Sequence, residues 1–124
     1  MKIKDIIVLE KHNKASVYLL KEGLFWRAYE LSAYRMVHHI KQYKVTRKYI
    51  KNVGCDIVYC GFPDSSLISI LKIAEGKHIA KAEKQITING FSNDKERFVD
   101  WKNAITLHEA NQKPILNLVS PVQY

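Results

Sequence analysis

The chain is poor in residues that staple or break structure: its 124 positions include 2 cysteines, 3 prolines and 5 glycines. Two cysteines, Cys55 and Cys60, are too few for a disulfide framework, and no His/Cys cluster at zinc-ligand spacing accompanies them. Free thiols, buried or half-buried, are the expectation. Long apolar runs are also missing. The longest, around Leu67–Ala74, is interrupted by Ser69 and Lys72 and falls well short of a membrane span. The opening MKIKDIIVLE has lysines and a short apolar run, but Asp5 breaks it and no small-residue cleavage site follows. No repeat or low-complexity segment is visible. A single domain over 1–124, cytoplasmic and not membrane-bound, is expected.

Acidic residues are scarce as well. Twenty lysines and arginines against 12 aspartates and glutamates leave a net charge of +8, which favours a polyanionic partner, most often nucleic acid. The imbalance is local. Between Glu30 and Asp56 there is no acidic side chain, while Arg35, Lys41, Lys44, Arg47, Lys48 and Lys51 fall there with His38 and His39. A run of one sign is either a solvated face or an anion-facing surface, and its span over a helix and the following strand favours the second.

Apolar residues make up 47% of the chain, enough for a core, and their spacing assigns elements. Ser16–Leu20 and Leu24–Tyr29 read as two strands around a Glu22-Gly23 turn. Ala33, Met36, Val37 and Ile40 recur at helical spacing. Val45–Lys51 and Asp56–Cys60 form a second hairpin across Asn52-Val53-Gly54. A helix follows Pro63 and stops at Gly76, with Leu67, Ile70, Leu71 and Ala74 as its buried stripe and Ile68 and Ile73 widening it. Ile79, Ile86 and Ile88 alternate as in strands. Asn93–Ile105 is a further helix with Phe98, Trp101 and Ile105 on one face, and 107–124 is an extended arm or final edge strand. The expected fold is α/β or α+β, a mixed sheet of about five strands packed with about three helices.

Two stretches together carry a family likeness. VYLLKEGLFWRAYELSA resembles the start of the N-terminal mismatch-recognition domain of the MutS DNA repair proteins, through Gly23, Phe25, Trp26, Tyr29 and Ala33. GFPDSSLISIL, then Gly76 and IAKAE, is similar to that family's Gly-Ile-Pro segment, helix and following strand, through Gly61, Pro63, Leu71, Gly76, Ala80 and Glu83. The likeness covers about residues 16–88. It implies that Phe25 sits where the family's phenylalanine wedges into duplex DNA from the minor groove. The family's glutamate, which bonds the mispaired base, is replaced by Arg27. Arginine accepts no hydrogen bond and favours phosphate, guanine edges or stacking. There is no phosphate-binding Gly-x-x-x-x-Gly-Lys-Ser/Thr loop, so no nucleotide cofactor or hydrolysis is implied.

The expected function is therefore non-catalytic binding of nucleic acid, DNA foremost, as duplex, mismatched duplex or DNA/RNA hybrid. Phe25, Arg27, Arg35, His38, Lys41, Lys44, Arg47, Lys48 and Lys51 are its candidate contacts. The likeness further implies a possible protein partner such as a reverse transcriptase or a repair protein, as for an accessory protein of a mobile or diversity-generating element. Trp26, whose side chain must oppose Phe25 on a strand, is expected in the core. An adaptor that uses the exposed ring to meet a protein is the alternative. A Mg-dependent nuclease built on Asp64, Glu75 and Lys77 is a weaker one, because Glu75 ends a helix where such enzymes use a strand. No metal or cofactor site is expected. His38 and His39 diverge by about 100° on a helix and have no carboxylate spaced to join them.

Overall fold

The computed structural model describes residues 1–108, and most of the expected arm at 107–124 lies outside the described residues. Helix α1 (Ile3–Lys11) leads into strands β1 (Ser16–Glu22) and β2 (Phe25–Tyr29). Helix α2 (Glu30–Arg35) follows and continues as a π-helical turn, Met36–Ile40. Strands β3 (Thr46–Ile50) and β4 (Cys55–Pro63) precede a 3-10 turn at Asp64–Ser66 and helix α3 (Leu67–Ile73). Strands β5 (His78–Lys81) and β6 (Gln85–Asn89), helix α4 (Lys95–Ala104) and a two-residue strand β7 (Leu107–His108) complete the described chain. The strands form one sheet in the order β5-β6-β1-β2-β4-β3-β7. The first six pair antiparallel, and β7 runs parallel to β3, so the fold is mixed α+β.

The alternation of the strands sorts their side chains onto two faces. Val17, Leu19, Trp26, Ala28, Cys60, Phe62, Ile86 and Ile88 point to one face. There they meet Ala33 and Met36 of the second helix and Ile70 and Ala74 of the α3 segment. Each fully buried aliphatic or phenyl side chain stabilises the fold by roughly 1.5–3 kcal/mol. On the other face Leu20, Tyr29 and Ile57 make a smaller cluster under Ile6 of α1.

Several expectations need correction. The N-terminal segment is a helix: Ile3, Ile6, Ile7 and Glu10 stand at helical spacing, and Ile6 and Glu10 are buried. With it there are four helices and seven strands among the described residues, close to the expected numbers and in the expected α+β class. Strand β4 runs three residues past Cys60, through Gly61 to Pro63. Ile68 and Ile73 do not widen the buried stripe of α3, for they are 82% and 54% exposed. Ile105 caps α4 rather than extending its apolar face.

One polar cluster inside the molecule joins four segments. The Arg35 guanidinium is fully buried. It donates to Asn13 Oδ1 and to the carbonyls of Lys14, Ser16 and Ser92, and it pairs with Asp94 at 3.0 Å. Beside it, the Glu10 carboxylate accepts from the Ser32 backbone N–H, the Ser32 hydroxyl and Asn13 Nδ2, so α1 caps the start of α2. Glu30, the first residue of α2, has φ of 51°, a left-handed value uncommon for a side chain of this kind. Its carboxylate accepts from the Val58 backbone N–H and from Lys102 Nζ, contacts that hold the strained residue in place.

Burial pushes the Glu10 carboxyl up from 4.5 to about 7, against the lowering effect of its hydrogen bonds from Ser32 and Asn13. An acid with a raised folded value holds its proton longer in the folded state, so its contribution to stability is lost as pH climbs from 4.5 to about 7. Relative to Glu10→Gln, the native chain should lose up to about 3 kcal/mol across that window. Urea titrations of both proteins at a series of pH values check this, and parallel pH profiles would refute it. Arg35→Met should cost about 3–5 kcal/mol in the same assay, because it strands Asp94 and several buried acceptors. Exposed Lys41→Met should cost less than about 0.5 kcal/mol.

Candidate nucleic-acid interface

Between β1 and β2 the chain turns in two residues, Gly23 and Leu24, and Gly23 adopts φ of 63°. A left-handed residue without a Cβ suits this position. The strand that leaves the turn then alternates. Trp26 is 3% exposed in the core, and its Nε1–H donates to Asp64. Phe25 points the other way, paired across strands with Glu22 and Pro63, and is 49% exposed. Leu24 beside it is 80% exposed. Of the two neighbouring rings, one is packing and one is surface.

Arg27 shares the Phe25 face, since it lies two residues on. Its cross-strand partner is Gly61. A Cβ on Gly61 would stand 2.9 Å from the Trp26 carbonyl oxygen and 3.1 Å from Arg27 Cγ. Only glycine leaves the arginine room to cross β4, where its guanidinium carbon sits 4.9 Å from the centre of the Tyr59 ring. Arg27 Nη1 is 3.5 Å from Glu22, whose other carboxylate oxygen accepts from the Tyr29 hydroxyl. Burial and the bond to Glu22 push the Tyr29 phenol well above its ordinary range. Phe25, Arg27, Gly61 and Tyr59 thus form a continuous strip, with Thr46 of β3 opposite Tyr59 and Lys48 one step further along.

The remaining candidates divide. Lys41, Lys44 and Lys51 are exposed, and Lys48 is half-buried. Lys44 lines a groove of about 400 Å³ with Thr46, Tyr59 and Thr106. His38 is exposed, yet its Nδ1 bonds the Tyr34 carbonyl and its ring stacks on Tyr34 at 4.1 Å. Two candidates are corrected. Arg35 has no accessible surface and holds the buried cluster described above, so it cannot reach a phosphate. Arg47 alternates onto the helical side of the sheet, where Nε meets Asp56 at 2.5 Å and Nη1 donates to the carbonyls of Lys102, Asn103 and Ile105. It closes the C-terminal end of α4. Partial burial opposes ionisation of Asp56, but Arg47 and Lys102 hold its carboxyl below the usual range.

Asp64 is engaged by Trp26 and lies 4.0 Å from Lys21, while Glu75 and Lys77 fall in the turn after α3. Among the described residues no group of three or more His, Cys, Asp or Glu side chains is placed to hold a metal ion. Both cysteines are free, and burial pushes the Cys60 thiol up to about 12. Among the described residues no helix is long and apolar enough to cross a membrane.

Tyr59, Thr46 and Glu22 are not among the contacts expected from the sequence, although the period-two alternation of β4, β3 and β1 carries the signal. Comparison with models of known families, with curated proteins and with solved structures returns no match.

Gly61→Ala should lower stability by about 1–3 kcal/mol through overpacking against the Trp26 carbonyl and Arg27. Thermal unfolding measures the loss. A variant as stable as the native chain would mean that Arg27 does not depend on this gap.

Proposed function

We propose that this domain binds nucleic acid without catalysing a reaction on it, and that its preferred ligand is DNA in which a base is unpaired or mispaired. The main support is the division between Phe25 and Trp26. The sheet spends one large ring on its core and presents the other at an exposed hairpin tip, beside an arginine on the same face. An exposed aromatic next to a cation on an uncovered sheet face suits stacking on a base edge or insertion at a weakened step. The lysines Lys41, Lys44, Lys48 and Lys51, with the net charge of +8, provide for the phosphates. The likeness to the MutS mismatch-recognition domain points the same way, and a reverse transcriptase or repair protein is the class of partner it suggests.

A second reading has its own observation. Leu24, Phe25 and Ile68 are all large, apolar and exposed, and they suit an adaptor that docks on a protein. Salt dependence separates the two. For DNA binding, log affinity should fall with log salt at about −0.9 per phosphate engaged. Changing Lys41, Lys44, Lys48 and Lys51 to glutamine should flatten that slope. DNA affinity that does not respond to salt would rule the DNA reading out. Phe25→Ala should weaken binding to a mismatched duplex by about tenfold, through lost stacking, and to a matched duplex far less. Fluorescence anisotropy with both ligands checks this, and equal losses on the two would remove Phe25 from recognition.

A further inference from the structure

We infer that the open sheet face is a stacking platform for two consecutive bases of a single-stranded nucleic acid, with Phe25 as one step and the Arg27 guanidinium as the other. This rests on the nucleic-acid reading above and specifies the ligand. Phe25 and Arg27 are separated by one residue on β2 and share a face. Two residues of antiparallel strand advance about 6.8 Å, twice the ~3.4 Å step between stacked nucleotides of one strand. The spacing therefore suits two neighbouring bases unstacked from each other and laid each on its own support, which a single strand allows.

Both steps are prepared in the free protein. The Phe25 ring is 49% exposed at the end of the sheet. The Arg27 side chain is 40% exposed, yet it is held on two sides, by the Tyr59 ring at 4.9 Å and by Glu22 at 3.5 Å. Gly61 leaves the space that lets it lie there. The planar cation lies within cation–π range of Tyr59 and stays 40% exposed, so a base can reach it. Because it is already ordered, little rotamer entropy remains to be lost on binding. Glu22 is itself fixed by the Tyr29 hydroxyl.

The charge along the path favours a polyanion. Beyond Tyr59 the strip opens into the groove of about 400 Å³ where Lys44 and the Thr46 and Thr106 side chains stand. Arg47 also lines this groove, but its charge is met by Asp56, which leaves Lys44 to face a phosphate. An apolar peptide laid along the same strip would leave the Lys44 charge unmatched, while that of Arg27 is already met by Glu22. A matched duplex hides the faces of its bases in its own stack, so it cannot offer two of them to Phe25 and Arg27.

The test compares a labelled oligothymidylate with a matched duplex of equal length, by anisotropy, for the native chain, Arg27→Lys and Phe25→Ala. Arg27→Lys keeps the charge and removes the plane. Each variant should lose about tenfold on oligothymidylate, and less than about twofold on the duplex. Thermal unfolding of the variants reports that the fold is kept. In parallel, 2-aminopurine placed within the oligonucleotide should be quenched by the native protein and less by either variant. Native affinity for oligothymidylate in Arg27→Lys, equal losses on both ligands, or unquenched 2-aminopurine would each overturn the platform. If the native chain binds neither ligand in a salt-dependent way, the nucleic-acid reading itself falls. If it binds both with steep salt dependence and the variants match it, the platform alone falls.

Discussion

A guanidinium with no accessible surface is costly unless each of its donors is met, and Arg35 meets that condition by drawing together parts of the chain far apart in sequence. Its partners come from the loop after α1 (Asn13 and the Lys14 carbonyl), the start of β1 (the Ser16 carbonyl) and the approach to α4 (the Ser92 carbonyl and Asp94). Glu10 and Ser32 fasten the adjoining α1 end to α2. Hydrophobic contact alone would allow α1 and α4 to slide over the sheet. Directional bonds to one buried cation fix where they sit, and so which part of the sheet stays uncovered.

What is left uncovered is the strip through Phe25, Arg27, Gly61 and Tyr59. Helix α1 covers Leu20, Tyr29 and Ile57 on that face. The helical layer covers the other face, and it draws Trp26 and Arg47 into structural roles. The recognition chemistry proposed for this domain is therefore a remainder. It consists of side chains on the outward register of two adjacent strands, with Tyr59 at its edge packed against the cluster under α1.

The sequence disclosed much of this through periodicity and less through charge. The two hairpins, the helix after Pro63 and the buried position of Trp26 were legible because alternation and helical spacing are local signals. Helix α1 carries the same spacing at Ile3, Ile6, Ile7 and Glu10, but its lysines and short apolar run also have the look of a leader segment, which masks the period. Charge misled at Arg35 and Arg47. An arginine in a run of lysines looks like its neighbours until the acceptors Asp94 and Asp56 are brought to it, and Asp94 lies 59 residues from Arg35. Gly61 was visible as a motif residue, but its purpose required the register that sets it opposite Arg27.

The six antiparallel strands are three hairpins laid side by side, β1–β2, β3–β4 and β5–β6, and this division has a consequence in time. Hairpins of this size close in about microseconds from neighbouring residues. The joints between hairpins must bring together distant segments, as where Ser16 of β1 meets Asn89 of β6. Phe25 and Arg27 belong to the first hairpin, Tyr59 and Gly61 to the second. A chain that has closed its hairpins but not joined β2 to β4 carries every side chain of the strip and none of its shape. Such a half-assembled chain would have the charge to meet a polyanion and no surface on which to hold a base.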